Sequence, residues 1–378
     1  MKPLKLFLPR KILIINLFGI GDVLFTTPLI RRLKRRFPEV FIGYAANKRA
    51  AGVLENNFRI DRVFIYERDE YQAVYKKSKW QFVKQMCGLI NRIREEHFDL
   101  AIDLSLNGSV SFLLWAVGIK NRIGFNYKNR SPWLTRKIRL EGYENKHVVE
   151  YYLGLLEEIT GLPKSNASLP GSEAESLELV ILEKDRQWAY EVLREKGIAG
   201  QKFIIGLVPG GGASWGKEAV YKRWAPEKYA QLADKIIEKF KADIILLGDQ
   251  NEEELCARVS RGMEGSCLNL CGATTLTQLA ALCAKCAVVV VNDGGPLHIA
   301  VAAGTKTVSI FGPVDERVYG PYPAESHLIV KKDIACRPCY RQFRMAHCEH
   351  ISCLQRIKVE EVLEKVGEIL MGGKESKG

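Results

Sequence analysis

The hydrophobic pattern is strongest at Val288–Val291, four consecutive valines ahead of a polar turn. β-Branched residues favour an extended backbone, and an unbroken apolar run is typical of a strand buried on both faces of a parallel sheet. The turn Asn292-Asp293-Gly294-Gly295-Pro296 ends the strand, and its proline suits the first turn of a helix over Leu297–Ala303. Gly304 ends that helix before a second strand, Thr307–Phe311. The segment is predicted to form a β-turn-α-turn-β unit whose turn is a ligand-binding edge.

The same alternation of apolar strands and amphipathic helices runs through both halves of the chain. In the first half the pattern predicts strands and helices at these positions: strands Lys11–Leu17, Val40–Ala46, Arg62–Tyr66 and Leu100–Leu104; helices Val23–Phe37, Trp80–Glu96 and His147–Thr160. In the second half it predicts strands Phe203–Val208, Asp243–Leu247 and Cys267–Leu270, and helices Pro226–Phe240, Asn251–Arg261 and Thr275–Lys285. Strands that alternate with helices indicate an α/β fold with doubly wound parallel sheets.

The length of the chain predicts two domains. A chain of 378 residues exceeds what one hydrophobic core usually serves. The segment 161–176 is rich in Gly, Pro, Ser and Ala, which is typical of a linker. We therefore expect one doubly wound domain at residues 1–165 and a second at 166–378.

The positive charge is concentrated in the first half of the chain. Residues 1–160 contain 28 Lys and Arg and 16 Asp and Glu, a net charge of +12, whereas residues 161–378 contain 28 of each. This asymmetry favours an anionic partner for the first half: nucleic acid, a membrane surface or a phosphorylated substrate. The alternative is a basic surface that serves solubility alone.

The sequence shows neither a secretory signal nor a membrane span. Basic residues precede an apolar run near the N-terminus, but Asn16 and Asp22 interrupt the run and no small-residue cleavage site follows. No later stretch reaches the roughly 18 apolar residues of a spanning helix, so a cytoplasmic protein is expected. In that reducing compartment, the ten cysteines favour thiols or a metal site over disulfides.

A glycine-rich turn follows a predicted buried strand at Pro209-Gly210-Gly211-Gly212-Ala213-Ser214. Glycines allow backbone N–H groups to approach and bind an anion. The lysine spacing excludes a Walker motif, but Lys222 could place a cation on the same phosphates. The alternatives are a flexible surface turn and a solvated lysine.

Two further carboxylates lie at predicted strand-to-helix turns, and His298 lies one turn into the helix that follows the second of them. Gly19-x-Gly21 lacks the third glycine of a dinucleotide fingerprint, so it favours NAD only weakly, but it leaves room for a substrate beside Asp22. Asp22 and Asp293 could each be no more than a helix cap. His298 could equally be a packing residue.

The most specific cysteine pattern is Cys336-x2-Cys339-x8-Cys348-x4-Cys353. Two close pairs can present four thiolates tetrahedrally to zinc or iron, with His347 and His350 as alternative ligands. The spacing differs from that of a standard zinc finger, and unliganded thiols or redox pairing are the alternatives. Cys283 and Cys286 are instead predicted to lie in the core of a buried helix.

Three segments in this order resemble glycosyltransferase family 9, the lipopolysaccharide heptosyltransferases. They are ILIINLFGIGDVLFTTPLIRRLKRRFP near the N-terminus, VPGGG with KRWAPEKYAQLA in the middle, and VVNDGGPLHIAVAAGTKTVSIFGPVDERVYGPY. The resemblance extends from about Lys11 to Cys353, and its first and last segments are the most specific.

The resemblance implies a GT-B architecture, with two Rossmann-like domains facing a central cleft. The N-terminal domain would bind the acceptor and the C-terminal domain the nucleotide sugar. Family members transfer L-glycero-D-manno-heptose from ADP-heptose onto the inner core of lipopolysaccharide, with inversion and without a catalytic metal. The basic first half would then face an anionic glycolipid, and the protein would be cytoplasmic and peripherally associated with the inner membrane, with no nucleic-acid partner.

The resemblance also assigns roles to residues of this chain by position. Asp22 would be the general base, and Gly19, Gly21, Arg31 and Arg35 are the candidates on the acceptor side. The donor would be bound by residues of the C-terminal domain. Lys222 would contact the diphosphate, Glu252 would be the ribose-binding acid, and the remaining donor-side candidates are Gly210, Gly211 and the pyrophosphate and sugar contacts Asp293, Gly294, Gly295 and His298. Related autotransporter heptosyltransferases hold iron with four cysteines, which favours a structural metal at Cys336, Cys339, Cys348 and Cys353.

Other functions remain open at this point. The same fold could use another nucleotide sugar or a protein acceptor. A basic nucleic-acid-binding protein would fit the charge, although the sequence contains no recognised nucleic-acid-binding motif. An NAD-dependent oxidoreductase is disfavoured by the incomplete glycine fingerprint.

Overall fold

Each half of the chain builds one six-stranded parallel sheet in the computed structural model. The structure describes residues 8–160, 175–198, 203–211 and 213–372. Contacts within the chain divide it into two units, Met1–Ala174 and Glu175–Gly378. Most of the predicted linker and the boundary expected at residue 165 lie outside the described residues, so the exact boundary stays a prediction.

The first unit contains six strands, all parallel: β1 (Lys11–Ile15), β2 (Phe41–Ala46), β3 (Arg62–Ile65), β4 (Leu100–Asp103), β5 (Asn121–Tyr127) and β6 (Arg136–Leu140). Their order in the sheet is β3-β2-β1-β4-β5-β6. The helices are α1 (Ile20–Leu24), α2 (Thr27–Arg36), α3 (Lys48–Ala51), α4 (Arg68–Lys77), α5 (Lys79–Glu95), α6 (Gly108–Ala116) and α7 (Val148–Thr160).

The second unit repeats this topology. Its parallel strands are β7 (Ile204–Val208), β8 (Asp243–Leu246), β9 (Leu268–Asn269), β10 (Val288–Asn292), β11 (Thr307–Phe311) and β12 (Leu328–Lys331). Their order is β12-β11-β10-β7-β8-β9, which is the order of the first sheet read in the opposite direction. In both units the chain starts in the middle of the sheet, runs to one edge, and returns to fill the other half. This is the doubly wound arrangement that the pattern predicts.

The helices of the second unit flank its sheet. They are α8 (Glu183–Glu195), α9 (Pro226–Phe240), α10 (Glu253–Gly262), α11 (Leu276–Cys283), α12 (Gly295–Ala302), α13 (Glu316–Tyr319), α14 (Ser352–Gln355) and α15 (Val359–Gly372). Two 3₁₀ segments, Ala213–Lys222 and Gln250–Glu252, lie in the connections after β7 and β8. A short antiparallel hairpin, β13 (Tyr340–Arg341) with β14 (Arg344–Met345), lies within the four-cysteine segment.

The segment with the strongest hydrophobic pattern folds as predicted. The four valines of β10 are 0% exposed, since β7 and β11 flank the strand in the sheet. α12 begins directly after the turn with a proline in its first turn, and β11 follows. Cys283 and Cys286 are buried, as expected for core residues.

One predicted helix is wrong in its extent. The pattern predicts a single helix over Val23–Phe37, but the structure contains α1 and α2 with a break at Phe25 and Thr26. Pro28 has no N–H group to donate to the preceding turn. The Thr27 hydroxyl instead donates to the Leu24 carbonyl over 2.7 Å, which satisfies one of the carbonyls left over at the break.

The pattern leaves several elements unpredicted, among them α4, α6, α8, β5, β6 and β12. Along β6, partly exposed and exposed residues alternate up to the buried Leu140, since β6 is one of the two edge strands of the first sheet. Such a strand lacks the continuous apolar run by which the central strands are detected. Within the described residues, no helix is long and apolar enough to cross a membrane.

Candidate functional site

The carboxyl end of β7 opens into the glycine-rich turn at Gly210 and Gly211. Asn292, the last residue of β10, donates from Nδ2 to the carbonyls of Pro209 and Gly210 over 2.8 and 3.0 Å. The same side chain accepts from the Trp224 N–H over 3.1 Å. A fully buried amide therefore ties the ends of two adjacent strands to the segment that carries Lys222.

Lys222 and Asp293 form a buried ion pair. Lys222 Nζ lies 2.6 Å from Asp293 Oδ2, and the two side chains are 9% and 4% exposed. Lys222 Nζ also lies 4.3 Å from the centre of the Trp215 ring, a cation–π contact. The sequence analysis left open whether Lys222 is a solvated lysine and Asp293 a helix cap. The structure excludes both alternatives, because α12 receives no side-chain cap and the two residues pair with each other.

The N-terminus of α12 provides unused backbone donors. The first N–H groups of a helix have no acceptor within the helix. Among the described residues, no acceptor contacts the N–H groups of Gly294 and Gly295, whereas the Asp293 N–H donates to the Ile310 carbonyl over 3.1 Å. His298 lies one turn into this helix and is 3% exposed. The arrangement can stabilise an anion at the helix N-terminus, beside the ammonium group of Lys222.

The glycine-rich turn differs from the predicted phosphate cradle. Gly211 adopts φ +107°, a conformation that favours glycine, and its N–H donates to Glu252 Oε1 over 2.6 Å. The other Glu252 oxygen accepts the Asp249 N–H over 3.1 Å. The Gly211 N–H is therefore occupied by a carboxylate. Gly212 is outside the described residues.

Glu252 is 3% exposed and stabilises this turn. Arg223 completes its environment, since Nη2 lies 3.2 Å from Glu252 Oε1 and Nε donates to the Gly211 carbonyl over 3.0 Å. The sequence analysis treats Glu252 as a ribose-binding acid, and the structure instead gives both of its oxygens partners within the protein. A ribose contact of Glu252 stays a prediction.

In the first unit, Asp22 lies where β1 leads into α1. Asp22 Oδ2 accepts the Gly19 N–H over 3.2 Å, a capping contact, so the helix-cap interpretation holds for part of this carboxylate. The residue as a whole is partly buried. The Asn16 amide donates to the Asp22 carbonyl over 3.0 Å and fixes the backbone of the turn.

Three buried tyrosines lie close enough to Asp22 for its charge to affect their pKa values. Burial is the main cause that raises the pKa of Tyr44, Tyr143 and Tyr152, and the Asp22 carboxylate raises each of them further. These phenols stay neutral at ordinary pH. Asp22 is thus a carboxylate placed between a solvent-open turn and a neutral aromatic core.

The acceptor-side candidates separate into two groups. Gly19 and Gly21 flank the Asp22 turn and are partly exposed. Arg31 lies in α2 and is only 8% exposed, whereas Arg35 is exposed on the last turn of the same helix. An acceptor contact of either arginine stays a prediction.

The four cysteines of the C-terminal segment are reduced and near one another. Burial, followed by the neighbouring thiols of Cys339 and Cys348, raises the pKa of Cys353 to about 11. Burial, followed by the Cys336 and Cys348 thiols, also raises the pKa of Cys339. Across the described residues, however, no group of three or more His, Cys, Asp or Glu side chains is placed to hold a metal ion. The side chains as they stand do not form a metal site.

Two aromatic residues that the sequence analysis missed connect this segment to Lys222. The Tyr340 ring packs on the Trp215 ring with 4.7 Å between their centres. Lys222 Nζ in turn lies 4.3 Å from the centre of the Trp215 ring. No sequence motif marks this pair, because Trp215 and Tyr340 are far apart in the chain. Arg223 and Asn292 were visible in the motifs but had no assigned role.

Comparison with known proteins gives a consistent result. A family model described as glycosyltransferase family 9 (heptosyltransferase) matches residues 86–349. Lipooligosaccharide heptosyltransferase 2 of Campylobacter jejuni subsp. jejuni serotype O:2 is 32% identical over 173 residues, which cover 45% of this chain and 51% of that protein. The chain thus matches about half the length of that relative.

A second relative matches over a longer stretch. Lipooligosaccharide heptosyltransferase 2 of Haemophilus ducreyi is 26% identical over 332 residues, covering 84% of this chain and 88% of that protein. The solved structure of Escherichia coli ADP-heptose lps heptosyltransferase II has a TM-score of 0.74 at 22% identity, covering 96% of this chain and 99% of that one. The two doubly wound sheets and their helices match this GT-B structure, which confirms the predicted fold class.

Proposed function

The chain belongs to glycosyltransferase family 9, the heptosyltransferase family, and on this premise we propose that it transfers heptose from ADP-L-glycero-D-manno-heptose to the inner core of lipopolysaccharide. The donor is supported by the similarity to the Escherichia coli ADP-heptose enzyme, and the acceptor by the similarity to the two lipooligosaccharide heptosyltransferases. The observation that carries the proposal is the pairing of Lys222 with Asp293 beside the N-terminus of α12.

The proposed donor site uses the second unit. The departing nucleoside diphosphate gains negative charge as the bond to the sugar breaks. The N–H groups of Gly294 and Gly295 would stabilise this charge together with Lys222, as preorganised donors do at an oxyanion. With a diphosphate present, the Lys222 ammonium would be shared between the phosphate and Asp293. His298, one turn further, would complete the contacts to the donor.

Asp22 is the proposed general base. The acceptor hydroxyl must lose its proton as its oxygen attacks the anomeric carbon, and a carboxylate within hydrogen-bond reach contributes about 10²–10⁴-fold to such a step. The Gly19 N–H contact orients one oxygen of Asp22, and the turn that carries it is partly exposed. Attack from the face opposite the leaving diphosphate gives inversion in one step. The chemistry requires no metal.

The partners and the location follow from this reaction. The acceptor would be an anionic glycolipid, which agrees with the net charge of +12 in residues 1–160. We propose that the protein works at the cytoplasmic face of the inner membrane as a peripheral protein. Nucleic acid has no role in this reaction.

A panel of nucleotide sugars tests the donor directly. A ligand at 100 times its Kd adds about 2.7 kcal/mol to the free energy of unfolding. We expect ADP and ADP-heptose to raise the melting temperature of the protein, and UDP-, GDP- and dTDP-sugars to leave it unchanged. Stabilisation by one of these other sugars and not by ADP-heptose would replace the proposed donor with that sugar.

Two lysine variants separate the donor site from general charge. Lys222→Met should weaken ADP binding by roughly 10- to 100-fold, since a hydrogen bond to a charged group contributes about 1.5–3 kcal/mol. Lys217 lies on the same 3₁₀ segment and is exposed, so Lys217→Met is the matched control and should bind ADP like the wild type. Equal loss in both variants would contradict a specific role for Lys222.

We also propose, from the resemblance in the cysteine spacing, that Cys336, Cys339, Cys348 and Cys353 hold a structural zinc or iron ion. The support is the proximity of their thiols, although the side chains would have to turn toward a common point. Elemental analysis of protein purified without added metal should give close to one equivalent. Less than about half an equivalent would count against the site.

A further inference from the structure

Three aromatic rings form an exposed cluster on the first unit. Phe112 and Trp115 lie on α6, and Trp133 lies in the connection between β5 and β6; they are 41%, 48% and 38% exposed. Their ring centres are 5.7 Å (Phe112–Trp115), 5.2 Å (Phe112–Trp133) and 4.6 Å (Trp115–Trp133) apart. We call these residues the three-ring cluster. It places a contiguous apolar surface in water, which is uncommon for a protein without a partner at that surface.

The cluster lies on a helix that is apolar on two sides. Leu114 of α6 is 4% exposed and belongs to the core of the first unit, so the inner side of the helix is already used. Phe112 and Trp115 lie on the other side of the helix and are exposed to solvent. A helix that is hydrophobic around most of its circumference needs cover on its second side.

The surrounding segment carries positive charge and no negative charge. Residues 104–140 contain seven Lys and Arg and no Asp or Glu: Lys120, Arg122, Lys128, Arg130, Arg136, Lys137 and Arg139. Arg136 pairs with Glu158 and Arg139 with Glu141, both outside this segment. Within the described part of the chain, the other five have no carboxylate partner.

The cations border the rings. Lys120 lies in the short connection between α6 and β5, and Arg122 donates from Nε to the Trp133 carbonyl over 2.7 Å, which fixes the backbone beneath that ring. Lys128 and Arg130 precede Trp133 in the same connection and are exposed. Lys137 is exposed on the edge strand β6. An apolar centre with a cationic rim therefore faces solvent, and the segment that forms both, residues 104–140, contains no acid.

We propose that the three-ring cluster and its cationic rim dock the protein on the surface of an anionic lipid bilayer. Tryptophan has an apolar ring and one polar N–H, so it is favoured in the headgroup region, where one end is apolar and the other hydrated. Lysine and arginine near such a surface gain roughly fivefold in partitioning each from anionic lipid. The absence of acids over 37 consecutive residues removes the repulsion that a carboxylate would add.

The contacts among the rings favour a bilayer over a nucleic acid. A single strand stacks its bases on aromatic rings that are each open on one face. Here each ring packs against the other two, so the rings present one common apolar surface. The proposal deepens the proposed function, on which it rests for the presence of a membrane-borne acceptor, by naming the surface that reaches the membrane.

Vesicle co-sedimentation of the full-length protein tests the proposal without donor or acceptor. We expect binding to phosphatidylcholine vesicles that contain roughly one third phosphatidylglycerol, and weaker binding to phosphatidylcholine alone. Because exposed charges are screened, binding should fall at about 0.5 M salt. Equal binding to both kinds of vesicle, or to neither, would overturn the proposal.

Matched variants locate the surface. Phe112→Ser with Trp115→Ser and Trp133→Ser should lower vesicle partitioning at least about tenfold, and Lys120→Gln with Lys137→Gln by roughly 25-fold. The controls lie on α8 of the second unit: Tyr190→Ser for an exposed ring, and Lys184→Gln with Lys196→Gln for exposed charge. Loss of binding in the controls equal to that in the cluster variants would overturn the assignment to this surface.

Fluorescence quenching tests whether the rings contact lipid without replacing them by polar side chains. Lipids brominated near the headgroup should quench the tryptophan fluorescence of the wild type. Trp115→Phe with Trp133→Phe keeps three rings, so it should still bind vesicles but lose most of the quenching. Unchanged quenching in this variant would overturn the proposal, as would binding of a single-stranded oligonucleotide that matches vesicle binding and is lost in the same ring variants.

Transfer to a water-soluble acceptor separates this proposal from the proposed function. The ring and lysine variants should transfer heptose to a deacylated acceptor at the wild-type rate, and lose rate only on acceptor embedded in vesicles. Vesicle binding without transfer to any acceptor would contradict the proposed function and leave the docking surface supported. Transfer to an acceptor without vesicle binding would support the proposed function and contradict the docking surface.

Discussion

Lys222 and Asp293 are buried charges that neutralise each other. Each has lost most of its contact with water, and the 2.6 Å ion pair replaces part of that hydration. Removing one partner of a buried pair costs about 3–5 kcal/mol, because the other charge is left without compensation. The same two residues are proposed to contact the donor, so stability and binding are coupled at this position.

A double-mutant cycle distinguishes the two roles. Lys222→Met and Asp293→Asn should each lower the free energy of unfolding by about 3 kcal/mol, and the double variant by clearly less than the sum. ADP binding should remain impaired in the double variant, because its Lys222 contact is not restored. Urea unfolding measures the free energies of unfolding, and titration calorimetry measures ADP binding. Additive losses of stability would show that the two side chains do not interact.

Asp103 is a buried carboxylate that the proposed reaction does not use. It ends β4, where Oδ1 accepts from the Ser105 hydroxyl over 2.6 Å and from the Ser105 N–H over 2.9 Å. Oδ2 is buried and has no hydrogen-bond partner within the described residues. Burial raises the pKa of Asp103 to about 6, and the hydrogen bonds from Ser105 oppose this only in part.

Asp103 should make the protein less stable as the pH rises through 4 to 6. The folded state keeps the Asp103 proton up to a pKa of about 6, whereas the unfolded state loses it near 3.8, so the folded state binds more protons in this window. Asp103→Asn keeps an acceptor for Ser105 and removes the charge. It should be more stable than the wild type by about 1–3 kcal/mol at pH 7.5 and no more stable at pH 4. A difference independent of pH would contradict this assignment.

At the scale of elements, the turn after β7 depends on the close approach of Gly210 to Glu252. A Cβ atom on Gly210 would lie 2.1 Å from the Glu252 carboxyl carbon. The carboxylate cannot move aside freely, because it is held by the Gly211 and Asp249 N–H groups and by Arg223. The strand end, the turn and the start of the 3₁₀ segment at Gln250–Glu252 therefore form one packed unit.

Gly210→Ala should displace Glu252 and loosen this turn. We expect a loss of about 1–3 kcal/mol in the free energy of unfolding, as for other overpacked sites, and weaker ADP binding. Gly88→Ala on α5 is the matched control, since nothing lies within 4 Å of a Cβ there. It should stabilise the protein by up to about 1 kcal/mol through helix propensity. Unchanged stability and ADP binding in Gly210→Ala would show that Glu252 is not essential to the turn.

Helices and strands can be predicted from the sequence where the same pattern of buried positions continues along the whole element. β10 is covered on both faces and shows as four valines, and α12 is marked by glycines and a proline at its start. β6 shows no such signal because only its last residue is buried, and the break before α2 depends on a single missing N–H at Pro28. The hydrophobic pattern along the chain indicates which residues are buried, but it does not indicate hydrogen bonds that form only in the folded chain.

The candidate site was predictable as a set of residues but not as a set of contacts. Lys222, Asp293 and Gly294 come from motifs, and the structure brings the first two together at the start of α12. The use of the Gly211 N–H by Glu252 was not predictable, because 41 residues separate the two partners in the chain. Trp215 and Tyr340 were missed for the same reason.

At the scale of the whole molecule, two units with the same strand order carry different charge. Both sheets follow the doubly wound order, so the fold alone does not distinguish their roles. The excess of positive charge belongs to residues 1–160, and the second half is balanced. This difference supports an anionic glycolipid and membrane surface as partners of the first unit, and a donor held by specific contacts as the ligand of the second.

Transfer of heptose by the full-length protein, wild type against Asp22→Asn, tests the central claim most directly. Purified protein, ADP-heptose and deacylated heptose-deficient lipopolysaccharide core are combined, and the product is followed by mass spectrometry, with its anomeric configuration from NMR. The wild type should add heptose with inversion. Asp22→Asn keeps an oxygen for the Gly19 N–H but cannot take the proton, so it should bind ADP-heptose normally and transfer about 10²–10⁴-fold more slowly. Full activity of Asp22→Asn, or no transfer by the wild type to any core acceptor, would contradict the account.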